Sequence, residues 1–77
     1  MNLKVKYFGL IAEITNCSEE TIPFSKHTVA EFLDLIFSKY PALKNKDFKV
    51  AQNMQLVNIE TKISSAEIAL LPPFSGG

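Results

Sequence analysis

The segment from Thr28 to Tyr40 constrains the fold more than any other part of the chain. Thr28 followed three residues on by Glu31 is a capping box, in which each side chain satisfies a free backbone donor of the first helical turn. Val29, Phe32, Leu33, Ile36, Phe37 and Tyr40 then recur at helical spacing and draw one apolar stripe along a helix of about 18 Å. Pro41 disfavours helical geometry at Tyr40, so the helix ends there. The aromatic residues in the stripe are read as core packing rather than as a cofactor site, because the amphipathic period holds throughout.

One helix of this length needs an apolar surface to lie on, and short strands supply it. Asn2 to Phe8 alternate, with Leu3, Val5 and Tyr7 on one face and Lys4 and Lys6 on the other, the period of a half-buried strand. Phe8 breaks the polar face and is expected exposed at the strand end. Gly9 marks a turn, and Leu10 to Ile14 have room for a single helical turn. Asn16 to Ser18 read as loop. Glu19 to Phe24 form a second strand, held to a sheet edge by Pro23 and antiparallel to the first across a short connection. Ala42 to Phe48 read as a polar connection. Lys49–Gln52 and Gln55–Asn58 flank Asn53-Met54 as a hairpin, since Asn tolerates a positive φ. Ile59 to Ser65 read as loop with Ile63 turned inward. Glu67 to Leu71 are apolar almost throughout, the pattern of a strand covered on both sides or lying mid-sheet. The sum is an α+β domain, one main helix packed on a mixed sheet of about five strands.

Seventy-seven residues make a single domain, 1–77. Eight lysines balance eight acids and arginine is absent. Nucleic-acid binding needs a concentrated basic face and favours arginine, so that function is excluded. Cys17 is the only cysteine, so no internal disulfide and no clustered metal site is expected; an undecorated thiol suits a reducing cytoplasm. No apolar run approaches a membrane span. Cys17 has no basic neighbours to activate its thiol and reads as idle. His27 has no acid or nucleophile pattern around it and reads as a solvated residue of the capping region.

The chain closes on Pro72-Pro73-Phe74-Ser75-Gly76-Gly77. The prolines stop the preceding strand, and the glycines, with no Cβ, make the slimmest peptide that can enter a channel. From Pro72 onward the extended tail, taken with Leu71 as residues 71–77, would reach roughly 20 Å. A frayed end needs neither a Pro-Pro stiffener nor a Phe74 anchor ahead of a bare diglycine. With one helix covering one sheet face, Phe8, Leu10, Leu71 and Phe74 have no place beneath it and are expected to form an apolar partner surface.

Taken together, Lys4-Val5-Lys6-Tyr7-Phe8, the Thr28-to-Pro41 helix, Val50-Ala51-Gln52-Asn53 and the stretch Glu67 to Gly77 resemble the ubiquitin-like β-grasp sulfur carriers, and among them the molybdopterin synthase small-subunit (MoaD) family. The resemblance spans the whole chain. It implies that Gly77 is adenylated by an E1-like activating enzyme using ATP and converted to a thiocarboxylate. Gly76, Ser75, Phe74, Pro73 and Pro72 would form the neck that carries it into the large synthase subunit. There the sulfur would pass to cyclic pyranopterin monophosphate to build the molybdopterin dithiolene. It further implies a cytoplasmic heterotetramer in which this chain binds no cofactor and no metal and is not an enzyme on its own, the catalytic pocket lying on the large subunit. The chain departs from the family at Ala12, where a basic residue is common, and at Ser65-Ala66, where a Gly-Asp pair is common. A thiamine-thiazole sulfur carrier, a ubiquitin-like protein modifier and a plain interaction domain with an inert tail remain as alternatives.

Overall fold

The computed structural model describes residues 2–25 and 28–73. The chain runs β1 (Asn2–Tyr7), α1 (Leu10–Thr15), β2 (Glu19–Pro23), α2 (Val29–Lys39), a 3₁₀ helix (Pro41–Asn45), β3 (Lys49–Gln52), β4 (Gln55–Val57) and β5 (Glu67–Leu71). The strands form one sheet in the order β2-β1-β5-β3-β4. β1 and β5 are parallel, with Val5 opposite Ile68, and every other neighbouring pair is antiparallel. The expected mixed five-stranded sheet is therefore present. His27, read as solvated, lies outside the described residues.

Alternation along the strands divides the sheet into two faces. Leu3, Val5, Tyr7, Ile22, Val50, Ile68 and Leu70 point to one side and are buried, and α2 covers them with Val29, Phe32 and Ile36. Phe24 meets Phe32 edge-on at 6.0 Å between ring centres, the arrangement that ring quadrupoles favour. The α2 capping box is complete: Thr28 Oγ1 accepts from the Glu31 N–H, and Glu31 Oε1 accepts from the Thr28 N–H. The next orphan donors of that helix end are met by the neighbouring loop, Val29 N–H on Thr61 O and Ala30 N–H on Ile59 O.

Two segments differ from the sequence expectation. Residues 10–15 form a second helix rather than an isolated turn, so β1 and β2 pair antiparallel across a connection that itself folds. Residues 41–45, read as part of a polar connection, wind into a 3₁₀ helix that buries Leu43 completely. A single apolar residue among Lys44, Asn45, Lys46 and Asp47 has no neighbour at helical spacing to announce it. Asn53 and Met54 both adopt positive φ, 54° and 64°, so the β3–β4 hairpin turns over two residues as expected. β5 lies mid-sheet between β1 and β3, with Ile68 and Leu70 buried and Ala69 and Leu71 half-buried on the opposite face.

Candidate functional site: the open sheet face and the root of the tail

β5 delivers the chain end from the centre of the sheet. The Phe8 N–H donates to Leu70 O at 3.2 Å, extending the parallel pairing one residue past the end of β1. Leu71 then leads into Pro72, half-buried, and Pro73, exposed. Both prolines lack an N–H, so pairing stops where they begin. Phe74, Ser75, Gly76 and Gly77 lie outside the described residues.

On the face away from α2, a groove of about 670 Å³ crosses β1, β5, β3 and β4. Small residues make its floor: Ala51 stands directly opposite Ala69 on one side and Leu56 on the other. Larger side chains raise its walls, Phe8 and Leu71 at one end and Leu56 and Met54 on the edge. Phe8 is 44% exposed, Leu56 53% and Met54 fully. Lys6 and Glu67, both on the rim, pair at 3.5 Å, and Lys4 pairs with Glu19 at 3.3 Å. Such exposed pairs stabilise by at most about 1 kcal/mol. Their effect is to leave the rim close to neutral, so the groove suits an apolar partner surface more than a charged one.

The predicted interface is thus only partly one surface. Phe8 and Leu71 come together in the groove, whereas Leu10, 52% exposed at the start of α1, is not among the residues that line it. Sequence reading passed over Ala51, Met54, Leu56 and Ala69. The signal was available, because Ala51 and Leu56 alternate with the inward Val50 and Val57. Ala12, where a basic side chain is common in the resembled family, packs half-buried against the core. Ser65 manages its turn at negative φ: its Oγ accepts from the Glu67 N–H at 3.2 Å and its N–H donates to Gln52 Oε1 at 3.3 Å.

Elsewhere, Cys17 is half-buried and its Sγ donates to Thr15 Oγ1, at 3.8 Å. Among the described residues no three His, Cys, Asp or Glu side chains gather as metal ligands would. No described helix is long and apolar enough to cross a membrane.

Residues 5–77 match the model of the ThiS family. A Caenorhabditis briggsae protein named molybdopterin synthase sulfur carrier subunit is 34% identical over 83 residues, spanning all of this chain and 99% of that one. Among solved structures, the small archaeal modifier protein 1 of Methanosarcina acetivorans superposes with a TM-score of 0.77 at 29% identity, over 99% of this chain and 96% of that one. A chain from the Helicobacter pylori complex of subunits 1 and 2 of molybdopterin-converting factor gives a TM-score of 0.67 at 28% identity, with both chains fully covered. By its family match, its relative and its fold, this chain belongs to the ThiS family, as a MoaD-like sulfur carrier with the ubiquitin-like β-grasp fold.

Proposed function

We propose that the chain is the small, sulfur-donating subunit of a molybdopterin synthase, and that Gly77 is the atom-bearing end. The observation that carries this reading is the exit of the central strand β5 through Pro72-Pro73 toward the diglycine, beside an open apolar sheet face. A terminal carboxyl group ionises at about pH 3.3–3.7 and is a poor electrophile as the carboxylate. An E1-like enzyme would join it to the AMP of ATP with release of pyrophosphate. Sulfide would then displace AMP and leave a thiocarboxylate. A persulfide would instead displace AMP to give an acyl disulfide, from which a second thiol would release the thiocarboxylate by taking the persulfide's carrier sulfur into a disulfide. With Gly76 and Ser75 as the thin neck and Phe74 as an anchor beside them, that group would enter the large subunit and give its sulfur to cyclic pyranopterin monophosphate. The groove walls Phe8 and Leu71 would dock the partners. The naming of the Caenorhabditis relative and the two-subunit Helicobacter complex support this assignment.

A second reading, a protein modifier that joins Gly77 to lysines, is favoured by the likeness to the Methanosarcina modifier. Both readings share the acyl-adenylate and part at the acceptor. Incubating the chain with ATP, an activating enzyme and a sulfur source, then weighing it intact, tests the first. Exchange of one terminal oxygen for sulfur is the expected result, and an unchanged mass under conditions that charge a known carrier would overturn it. Isopeptide-linked Gly77 in cell extracts would move the assignment to the modifier.

A further inference from the structure

We propose that Gly9 is a positioning residue for the chain terminus: its bare Cα seats the Pro72 ring, and this contact sets the direction in which the tail leaves the sheet. The consequence for charging rests on the carrier reading above; the contact itself does not.

Gly9 sits at φ 57° and ψ −134°, a combination essentially reserved for glycine. That conformation lets the chain pass from the end of β1 at Tyr7 to the start of α1 at Leu10 through Phe8 and Gly9 alone. The Ile11 N–H donates to Phe8 O and the Ala12 N–H to Gly9 O on the far side of the turn. The same turn brings the Gly9 Cα over the end of β5. A Cβ built there would stand 3.1 Å from Pro72 Cγ, 3.7 Å from Cδ and 3.9 Å from Cβ. The first distance is too close for the ring to stay where it is. Pro72 has little freedom to answer, because its φ is fixed by the ring and Leu70, two residues earlier, is held by the Phe8 N–H. Whatever displacement ring pucker does not absorb falls on the backbone at Pro72 and changes the direction in which Pro73 leaves the sheet. The point and direction from which the remaining residues set out toward an adenylating site are therefore fixed at Pro72 and Pro73.

Two effects of a substitution can be separated by handedness. Gly9→Ala with ordinary L-alanine both strains the positive φ and puts the methyl against Pro72. The same substitution made with the D enantiomer, by chemical synthesis of the full chain, is at ease with positive φ and directs its methyl to the other side of the Cα. Pro72→Ala removes the ring while leaving Gly9 untouched.

The experiment measures two things on each full-length variant. Backbone amide residual dipolar couplings at Ser75, Gly76 and Gly77, with hydrogen-exchange protection of β1 and β5 as the fold control, report tail direction. Steady-state adenylation by an activating enzyme reports kcat and KM. With the fold retained, the L-alanine variant and Pro72→Ala are expected to change the tail couplings and to lose about tenfold or more in kcat/KM, the scale on which small misplacements act. The D-alanine variant should keep wild-type couplings and stay within about twofold in rate. Unchanged couplings in Pro72→Ala, or a D-alanine variant as impaired as the L-alanine one, would overturn the proposal. If the L-alanine chain does not fold, those two variants still decide it. If the wild type itself is never adenylated, the carrier reading fails, while the couplings still test the contact between Gly9 and Pro72.

Discussion

Glu20 holds three donors at one carboxylate. Tyr7 Oη and Tyr40 Oη donate to Oε2 at 2.5 and 2.6 Å, and Lys39 Nζ donates to Oε1 at 2.6 Å. The cluster ties β2 to β1 and to the end of α2. Tyr7 and Tyr40 also meet edge-on at 6.0 Å between ring centres. Burial pushes both phenols well above their ordinary range, and the hydrogen bonds to Glu20 add to it, so each remains a protonated donor. Partial burial pushes Glu20 up too, but the hydrogen bonds from Lys39, Tyr40 and Tyr7 outweigh it and hold the carboxyl below its ordinary 4.5. A depressed carboxyl contributes stability in full above its unfolded value and loses it as pH falls through the lowered one. Glu20→Gln should therefore cost about 1–3 kcal/mol at neutral pH and flatten the loss of stability on acidification below 4.5. Urea melts across that range would check both. Gln52 is the second such residue. Its buried amide accepts from the Ser64 and Ser65 N–H groups and donates to Lys62 O. Gln52→Leu would strand three backbone groups and is expected to cost about 2–4 kcal/mol, read as a drop in the thermal midpoint. Neither role was legible in the sequence, because a polar side chain declares its chemistry but not its partner. For Glu20 a hint existed: Tyr7 faces inward on an alternating strand, and a buried phenol needs an acceptor.

At the scale of elements, legibility followed periodicity. α2 could be read to within a residue because its stripe, its capping box and Pro41 all agree. β1 was equally plain, since its alternation survives in full. The 3₁₀ helix was hidden because Leu43 is its only buried residue, and the loop of residues 58–66 was undervalued. That loop is a strap: Thr61 and Ile59 cap α2 from one end and Gln52 grips Lys62, Ser64 and Ser65 from the other. The β3–β4 hairpin carries a conflict between stability and use. A two-residue turn with both φ positive favours Asn-Gly, yet Met54 occupies the second position with its side chain fully exposed at the groove edge. Met54→Gly should raise stability by about 0.5–1 kcal/mol and, if the groove docks partners, weaken binding of the large subunit. Calorimetric unfolding and a binding titration on the same protein would show the opposed changes; a gain in both would mean the methionine has no contact across the interface.

For the molecule as a whole, β5 joins what would otherwise be two separate strand pairs. β1 and β2 lie on one side of it and β3 and β4 on the other, and an isolated two-stranded pair is marginal in water at best. Folding must therefore bring the two ends of the chain together, since β1 accepts β5 as its parallel neighbour. The same strand that completes the core leads directly into Pro72-Pro73, so on the carrier reading proposed above stability and function share one element and separate only where its pairing stops. That boundary falls at Pro72, seated on Gly9 and half-buried, with Pro73 exposed beyond it. A chain ending at Pro73 keeps every strand pairing and all the described core residues, and its thermal midpoint should stay within about 2–3 °C of the full chain, the shift expected for a loss of well under 1 kcal/mol. If Gly77 carries the sulfur as proposed, this shortened chain should nonetheless accept none. A chain ending at Ala66 loses Ile68 and Leu70 from the core together with both ladders, and should show no cooperative transition. Circular dichroism melts of the two truncations place the boundary: a large destabilisation on removing residues 74–77 would mean that the tail packs on the body of the domain, and the terminus would then not be free to serve as a handle.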